Sequence, residues 1–156
     1  MQTVKVPMES LYEVIGLQLQ NGGKANLMIT GVSMKPMLTE GRDTVILIPI
    51  TEDPVAGDIV LYRRDNGQFV LHRIIRITPE SYLISGDNQY ALEEVSRQQM
   101  LAVVSGFTRK GRVYALQEPG YRLYCWVWVK LFWLRKPYIK LRRRLGRIYH
   151  KLKHRS

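Results

Sequence analysis

Cysteine is nearly absent from this chain, since Cys125 is the only one. A single cysteine excludes an intramolecular disulfide and any cysteine-rich zinc site. No apolar run reaches the roughly 18 residues that a membrane-spanning helix needs, and the first residues lack the basic and apolar regions of a signal peptide. From these absences we expect a cytoplasmic protein without an ordinary transmembrane anchor.

Acidic residues are missing from the last quarter of the chain. Residues 119–156 contain 12 Lys and Arg and no Asp or Glu, whereas residues 1–118 contain 12 Lys and Arg and 13 Asp and Glu. The net charge of +11 therefore comes from the C-terminal segment. This division predicts a near-neutral globular domain over residues 1–118, with an N-terminal helix and lead-in over 1–24, followed by a basic docking segment over 119–156.

Helical patterns are scarce before residue 119. Residues 7–23 predict one short helix, with Pro7 in its first turn and Gly22-Gly23 at its end. Apolar residues recur within it at helical spacing, namely Leu11, Val14, Ile15 and Leu19.

Short β-branched runs make up most of the remaining body. They predict strands at ANLMIT, TVILIPI, DIVLYRR, FVLHRIIRI, SYLIS and MLAVVSGFTR. Asn66-Gly67 and Lys110-Gly111 each lie between two such runs and favour tight hairpins. We therefore predict a mainly β, antiparallel domain that closes on itself.

The stretch GVSMKPML, residues 31–38, places one serine on a constrained turn. Gly31 gives backbone freedom just before Ser33, and Pro36 fixes φ just after it. A hydroxyl on such a turn can be presented to a substrate as a nucleophile. The alternative is an ordinary surface turn.

Histidine is also scarce, and His72 is the only one before the basic segment. It lies in the strand FVLHRIIRI, where alternation places Val70, His72 and Ile74 on one face and Leu71, Arg73 and Ile75 on the other. His72 is thus the candidate base for Ser33, although a histidine in a strand is more often structural. The segment ISGDN follows, and Asp87, Glu93 and Glu94 cluster there. The alternative is an ordinary Gly-Asp-Asn turn, which is common.

In their order, GVSMKPML, GDIVLYRR, VLHRIIRI and ISGDN resemble the boxes of the type I signal peptidases. These serine peptidases are related to the self-cleaving SOS-response repressors. The resemblance covers residues 31–106 and implies a mostly β catalytic domain. It also implies an extended peptide or precursor protein as substrate, bound in a groove that Val32, Met34 and Met37 line or support. The resemblance implies no metal or organic cofactor.

The family uses either lysine or histidine as its base, and the resemblance here implies the histidine variant with a Ser33/His72 pair. Asp87 is expected to shape the site, and Glu93 is the candidate orienter of His72, with Asp87 as the other candidate for that role. Many relatives have a serine where this chain has Gly31, so the oxyanion would be stabilised by backbone N–H groups, that of Ser33 first. The family's usual N-terminal anchor has no counterpart in this sequence.

Two other functions remain open on the sequence. One is a catalytically silent, peptide-binding or regulatory relative. The other is a repressor-like protein that acts through nucleic acid. Only about 30 residues precede Ser33, too few for the expected DNA-binding domain, and the lysine base is missing, so we expect no specific nucleic-acid partner.

The segment 119–156 combines aromatic and basic residues. Tyr121 to Leu134 is dense in aromatics, including Trp126, Trp128 and Trp133, and is too short to cross a bilayer core of about 30 Å. Pro137 is expected to break it before an amphipathic helix with an apolar face at Leu141, Leu145, Ile148, Tyr149 and Leu152. We expect the segment to bind an anionic membrane surface peripherally, the alternatives being nucleic acid, the protein body or a partner protein.

Overall fold

The structure, a computed structural model, describes residues 8–153. Helix α1 (Met8–Gln20) precedes strands β1 (Ala25–Met28), β2 (Thr44–Ile48), β3 (Ile59–Arg63), β4 (Phe69–Ile77), β5 (Tyr82–Ser85), β6 (Glu93–Val95), β7 (Met100–Arg109) and β8 (Arg112–Ala115). Helices α2 (Pro119–Lys130) and α3 (Arg135–Lys153) follow, separated by a short 3-10 turn, Phe132–Leu134.

All the described strands belong to one antiparallel sheet. Its order is β1-β2-β7-β3-β4-β5-β6, and β8 pairs with β7. This confirms the predicted mainly β architecture. The expectation that the sheet closes on itself is wrong, because β1 and β6 are left as its two ends. One of these ends, β1, borders the candidate site described below.

The sheet has an apolar core on each face. Along β3, Ile59 and Leu61 join a core that also contains α1, while Val60 and Tyr62 join a second core on the opposite face. The central strand β3 is therefore buried on both sides, which explains its continuous apolar sequence.

Helix α1 covers the first core. Tyr12, Ile15 and Leu19 are its buried residues, whereas Val14 is exposed. The inclusion of Val14 in the apolar face was therefore wrong. Pro7 and the side chain of Leu11 lie outside the described residues.

Both predicted hairpins are present. Gly67 adopts a positive φ of 86°, and the Arg64 N–H donates to the Gln68 carbonyl at 2.8 Å, which closes a three-residue loop between β3 and β4. Lys110 and Gly111 have φ values of 51° and 79° between β7 and β8.

The C-terminal segment is helical on both sides of Leu131. The predicted break at Pro137 is wrong, because α3 begins at Arg135 and Pro137 lies in its first turn, where a missing N–H costs nothing. The interruption comes earlier, at Leu131, which caps α2. Over residues 8–153, every helix is too short or too polar to span a bilayer.

Candidate active site

The turn that carries Ser33 connects β1 to β2. Gly31 has a φ of +75°, a conformation that L side chains rarely adopt, so glycine is required immediately before the Val32-Ser33 pair. The Lys35–Pro36 peptide is cis. Buried Met34 and Leu38 anchor the turn in the first core, joined by a 3.0 Å hydrogen bond from the Leu38 N–H to the Met34 carbonyl.

The Gly-Asp-Asn segment after β5 holds this turn from the other side. The Asn88 N–H donates to the Ser33 carbonyl at 2.7 Å. The Asn88 side-chain amide donates to the Val32 carbonyl at 3.2 Å. Two boxes that are far apart in sequence are thus bonded to each other at the candidate nucleophile.

Gly86 marks the point where the serine turn and the histidine strand meet. A Cβ placed on Gly86 would lie 2.7 Å from the Ser33 carbonyl oxygen and 3.1 Å from His72 Nε2. The first distance is shorter than real Cβ atoms show and the second is unusually tight, so glycine at this position allows the close approach. The fold brings Ser33 and His72 together around this residue.

Ser33 and His72 both line an open groove of about 270 Å³. His72 is 3% exposed, and its Nδ1 lies 3.3 Å from the Tyr62 hydroxyl. Its Nε2 is the ring nitrogen that faces Gly86. Within the described part of the chain, no hydrogen bond joins the Ser33 hydroxyl to the His72 ring.

Glu93 lies near His72 but is bonded to another residue. Its two carboxylate oxygens accept from Arg64 Nε and Nη2 at 2.7 and 2.6 Å. This bidentate pair lowers the pKa of Glu93. Burial is the largest cause of the raised pKa of the Tyr62 hydroxyl, and the negative charge of Glu93 raises it further. Among the residues that the structure describes, Glu93 therefore influences His72 and Tyr62 by its negative charge, without a hydrogen bond to the His72 ring.

Burial lowers the pKa of His72 to about 4. The charge of Glu93 opposes this shift and that of Arg64 adds to it, while Asp87 opposes it weakly. The imidazole is consequently neutral at physiological pH. A neutral ring has one unprotonated nitrogen that can accept a hydroxyl proton.

Asp87 lies on the side of the loop away from the groove. It is fully buried and forms a bidentate ion pair with Arg73, with distances of 2.9 Å from Nε and 2.8 Å from Nη2. Arg73 also donates to the Gly57 carbonyl at 2.8 Å and to Met37 Sδ at 3.0 Å. Asp87 thus joins its loop to β4, and Met37 supports this junction from the interior.

A family model described as Peptidase S24-like matches residues 6–114 of this chain. That range includes the serine turn, the histidine strand and the Gly-Asp-Asn loop. The protein belongs to the Peptidase S24-like family. No curated protein matches it.

This S24-like domain places every predicted site residue within one neighbourhood, but in different surroundings. Ser33 and His72 face the groove, Glu93 lies beside them in its pair with Arg64, and Asp87 faces the interior. The expected alternation along β4 is confirmed, because His72 contacts Tyr62 on one face while Arg73 reaches Asp87 on the other.

Three residues of this S24-like site were missed by sequence reasoning. Tyr62 contacts the His72 ring, Arg64 neutralises Glu93, and Arg73 neutralises Asp87. The alternation of β4 had already set Arg73 on the face opposite His72. Its carboxylate partner could have been suspected, because an arginine in a buried strand needs one.

The groove of the S24-like domain is bordered by two unpaired strand edges. Among the described strands, β1 pairs only with β2. Residues 69–72 of β4 pair with β3 on one side, while pairing with β5 begins only at Arg73. Leu27–Thr30 and Phe69–His72 line the groove from these two edges. An extended peptide could therefore add a strand here.

Proposed function

We propose that this protein is a serine endopeptidase of the signal-peptidase type, which cleaves a leader or signal segment from a precursor with Ser33 and His72. The observation that carries this proposal is that the serine turn and His72 Nε2 meet at Gly86, while Ser33 and His72 both line one open groove. Membership of the Peptidase S24-like family supports peptidase chemistry.

In the proposed first step, Ser33 Oγ attacks the scissile carbonyl carbon while His72 Nε2 takes the hydroxyl proton. The Oγ–C bond forms, and the carbonyl oxygen becomes an oxyanion. The Ser33 N–H donates no hydrogen bond to any residue within 8–153, so it is available to this oxyanion. His72 then gives its proton to the leaving amine as the C–N bond breaks.

In the second step, water hydrolyses the acyl-enzyme. His72 accepts a proton from water, the hydroxyl attacks the ester carbon, and the Ser33 Oγ leaves with the proton. For Nε2 to accept protons, Nδ1 must carry the ring hydrogen, which it donates to the Tyr62 hydroxyl 3.3 Å away. Tyr62 thereby takes the orienting position that a carboxylate has in many triads, and Glu93 supports it electrostatically.

The substrate is proposed to be an extended peptide between β1 and residues 69–72 of β4. Backbone hydrogen bonds to the two strand edges would give affinity with little dependence on sequence. Tyr12 from α1 stacks on Phe69 with ring centroids 3.9 Å apart. This stack limits one end of the groove.

A self-cleaving repressor is the competing function within the same family. Residues 1–118 are close to neutral, so they carry no net positive charge to attract nucleic acid. This observation favours a peptidase that acts on another chain.

We further propose that the enzyme works at an anionic membrane surface. Trp126 and Trp133 are 59% and 71% exposed, and Leu141 and Leu145 are exposed on α3. Exposed aromatics beside a polycation suit a lipid headgroup region.

The decisive experiment compares Ser33→Ala with the unaltered enzyme on peptides that carry small residues before the cut. We expect kcat to fall by at least about a thousandfold, because the nucleophile is lost. Ser105→Ala is the matched control, since this serine lies on β7. A serine-directed phosphonate probe should label the unaltered enzyme at Ser33. Equal turnover by Ser33→Ala and the unaltered enzyme would refute the proposal.

A further inference from the structure

The C-terminal helices contact each residue of the Gly-Asp-Asn loop. The Tyr124 hydroxyl donates to Asp87 Oδ2 at 2.9 Å, and the Trp128 indole N–H donates to the Asp87 carbonyl at 3.0 Å. From α3, Arg135 donates to the Gly86 carbonyl and Arg142 to Asn88 Oδ1, both at 3.0 Å.

The same loop holds the nucleophile turn on its opposite side. Asn88 donates from its backbone to the Ser33 carbonyl and from its side chain to the Val32 carbonyl. Asn88 therefore connects α3 to the Ser33 turn. Its amide oxygen accepts from Arg142, and its N–H groups donate to the turn. The family match ends at residue 114, so it assigns no role to α2 or α3.

Arg135 shows that this contact is specific. It is 4% exposed, and the described hydrogen bonds of its guanidinium all go to backbone carbonyls, of which the two closest are Trp128 at 2.8 Å and Gly86 at 3.0 Å. It also lies over the rings of Trp128 and Phe132, with distances of 5.4 and 4.8 Å to their centroids. A buried guanidinium is costly unless its donors are satisfied, so α2 and α3 have a defined position on the loop.

We propose that the C-terminal segment is a positioning element of the active site: α2 and α3 hold the Gly86–Asn88 loop, and this loop holds the Ser33 turn. Loss of these contacts loosens the turn and slows the chemical step. The catalytic part of this inference rests on the proposed peptidase function, whereas the coupling between α3 and the Ser33 turn does not.

The first test compares Arg142→Gln with Arg76→Gln. Both variants lose one positive charge, but only Arg142 is bonded to Asn88, and Arg76 is exposed on β4. We expect Arg142→Gln to lower kcat about tenfold with little change in KM, because small displacements of a reacting group slow catalysis strongly. Arg76→Gln should stay near the unaltered rate, and Arg142→Lys should recover part of the loss. Equal kcat values for the two glutamine variants would overturn the catalytic part.

The second test measures amide hydrogen exchange and needs no substrate. The Asn88 amide, which donates to the Ser33 carbonyl, should exchange about tenfold faster in Arg142→Gln through local opening. The Ile74 amide, bonded to the Asp58 carbonyl in the sheet, is the internal control and should not change. Unchanged exchange at Asn88 would overturn the proposal, and so would an equal rise at Ile74, which indicates global destabilisation.

The two tests separate this inference from the proposed function. If the unaltered enzyme cleaves no peptide and takes no phosphonate label, the peptidase proposal fails, and exchange at Asn88 alone decides on the coupling. Tyr124→Phe provides a second variant, because it removes only the hydroxyl bonded to Asp87. It should also accelerate exchange at Asn88, and normal exchange in both variants would contradict the coupling.

Discussion

At the scale of single residues, the burial of His72, the base proposed above, predicts how peptidase activity depends on pH. Its pKa of about 4 means that the free enzyme already holds a neutral base at pH 5 and above. We therefore expect kcat/KM to rise with a midpoint near 4 and to stay level through neutrality. A midpoint at the ordinary histidine value, near 6.5, would contradict this assignment.

Glu93→Gln tests the direction of the electrostatic effect on the same midpoint. The charge of Glu93 raises the pKa of His72 and that of Arg64 lowers it. Removing the carboxylate also leaves Arg64 uncompensated, so both changes act in one direction. The midpoint of kcat/KM should move to lower pH, and a shift to higher pH would exclude the proposed role of Glu93.

The same histidine makes folding stability depend on pH. Its folded-state pKa of about 4 is below the unfolded value of 6.5, so protons bind preferentially to the unfolded chain as pH falls. The stabilisation is complete above pH 6.5 and is lost progressively down to pH 4, by about 3 kcal/mol. His72→Gln should remove this part of the acid sensitivity, as urea unfolding at pH 7 and pH 4 can measure. If the free energy of unfolding falls equally in the unaltered protein and in the variant between pH 7 and pH 4, this prediction is contradicted.

At the scale of elements, the Arg73–Asp87 pair joins β4, the Gly-Asp-Asn loop and α2. Both side chains are fully buried, and Tyr124 of α2 donates to the same carboxylate. Asp87→Asn keeps the shape but leaves the arginine charge unpaired, so the free energy of unfolding should fall by about 3–5 kcal/mol.

The matched control for this prediction is Asp53→Asn. Asp53 pairs with Arg97 at 3.4 Å, and its side chain is 84% exposed. Removal of such a surface carboxylate should change the free energy of unfolding by less than about 1 kcal/mol. Similar losses in both variants, measured by urea unfolding, would show that the buried pair has no special role.

The hairpin between β3 and β4 shows why part of the site could not be predicted. The sequence places Asn66-Gly67 at the turn, but a two-residue and a three-residue loop differ by one residue in register. The observed three-residue loop pairs His72 with Val60 and thereby puts Tyr62 on the histidine face. A shift of one residue would turn Tyr62 to the other face. Ser33 and His72 could be named from sequence, whereas the partner of the histidine depends on this register.

At the scale of the whole molecule, the strand pattern was sufficient for the mainly β fold. The division of charge was also visible, but it suggested a docking segment beside an independent body. The structure adds that Tyr124, Arg135 and Arg142 attach this segment to the Gly86–Asn88 loop of the candidate site. These contacts join residues far apart in sequence, and they depend on the geometry of the hydrogen-bond donors. Neither the composition nor the periodicity of the sequence predicts that geometry.

This attachment determines how membrane binding should be tested. Truncation after Glu118 would remove Tyr121, Tyr124 and Cys125, all of which interact with the buried pair of Arg73 and Asp87. Loss of vesicle binding after truncation would then be hard to separate from damage to the fold. Substitutions on the exposed face of the helices avoid this difficulty.

We predict that the full chain sediments with anionic vesicles and that two sets of substitutions weaken this binding differently. Arg144→Gln with Arg147→Gln removes exposed charges, each worth about 1 kcal/mol near an anionic leaflet. Trp126→Gln with Trp133→Gln removes exposed aromatic area, whose burial salt does not screen. High salt should therefore weaken binding of the unaltered chain only in part, and it should abolish the remainder in the tryptophan variant.

Substitutions within residues 1–118 provide the controls for this last prediction. Arg76→Gln removes an exposed charge from β4, and Val113→Gln removes an exposed apolar side chain from β8. Neither should change sedimentation with vesicles, because the residues lie outside the C-terminal segment. Nucleic-acid binding would instead decline almost completely with salt and would not respond to the tryptophan substitutions. A chain that ignores anionic vesicles but binds DNA or RNA at low salt would replace the membrane surface with nucleic acid as the partner of α2 and α3.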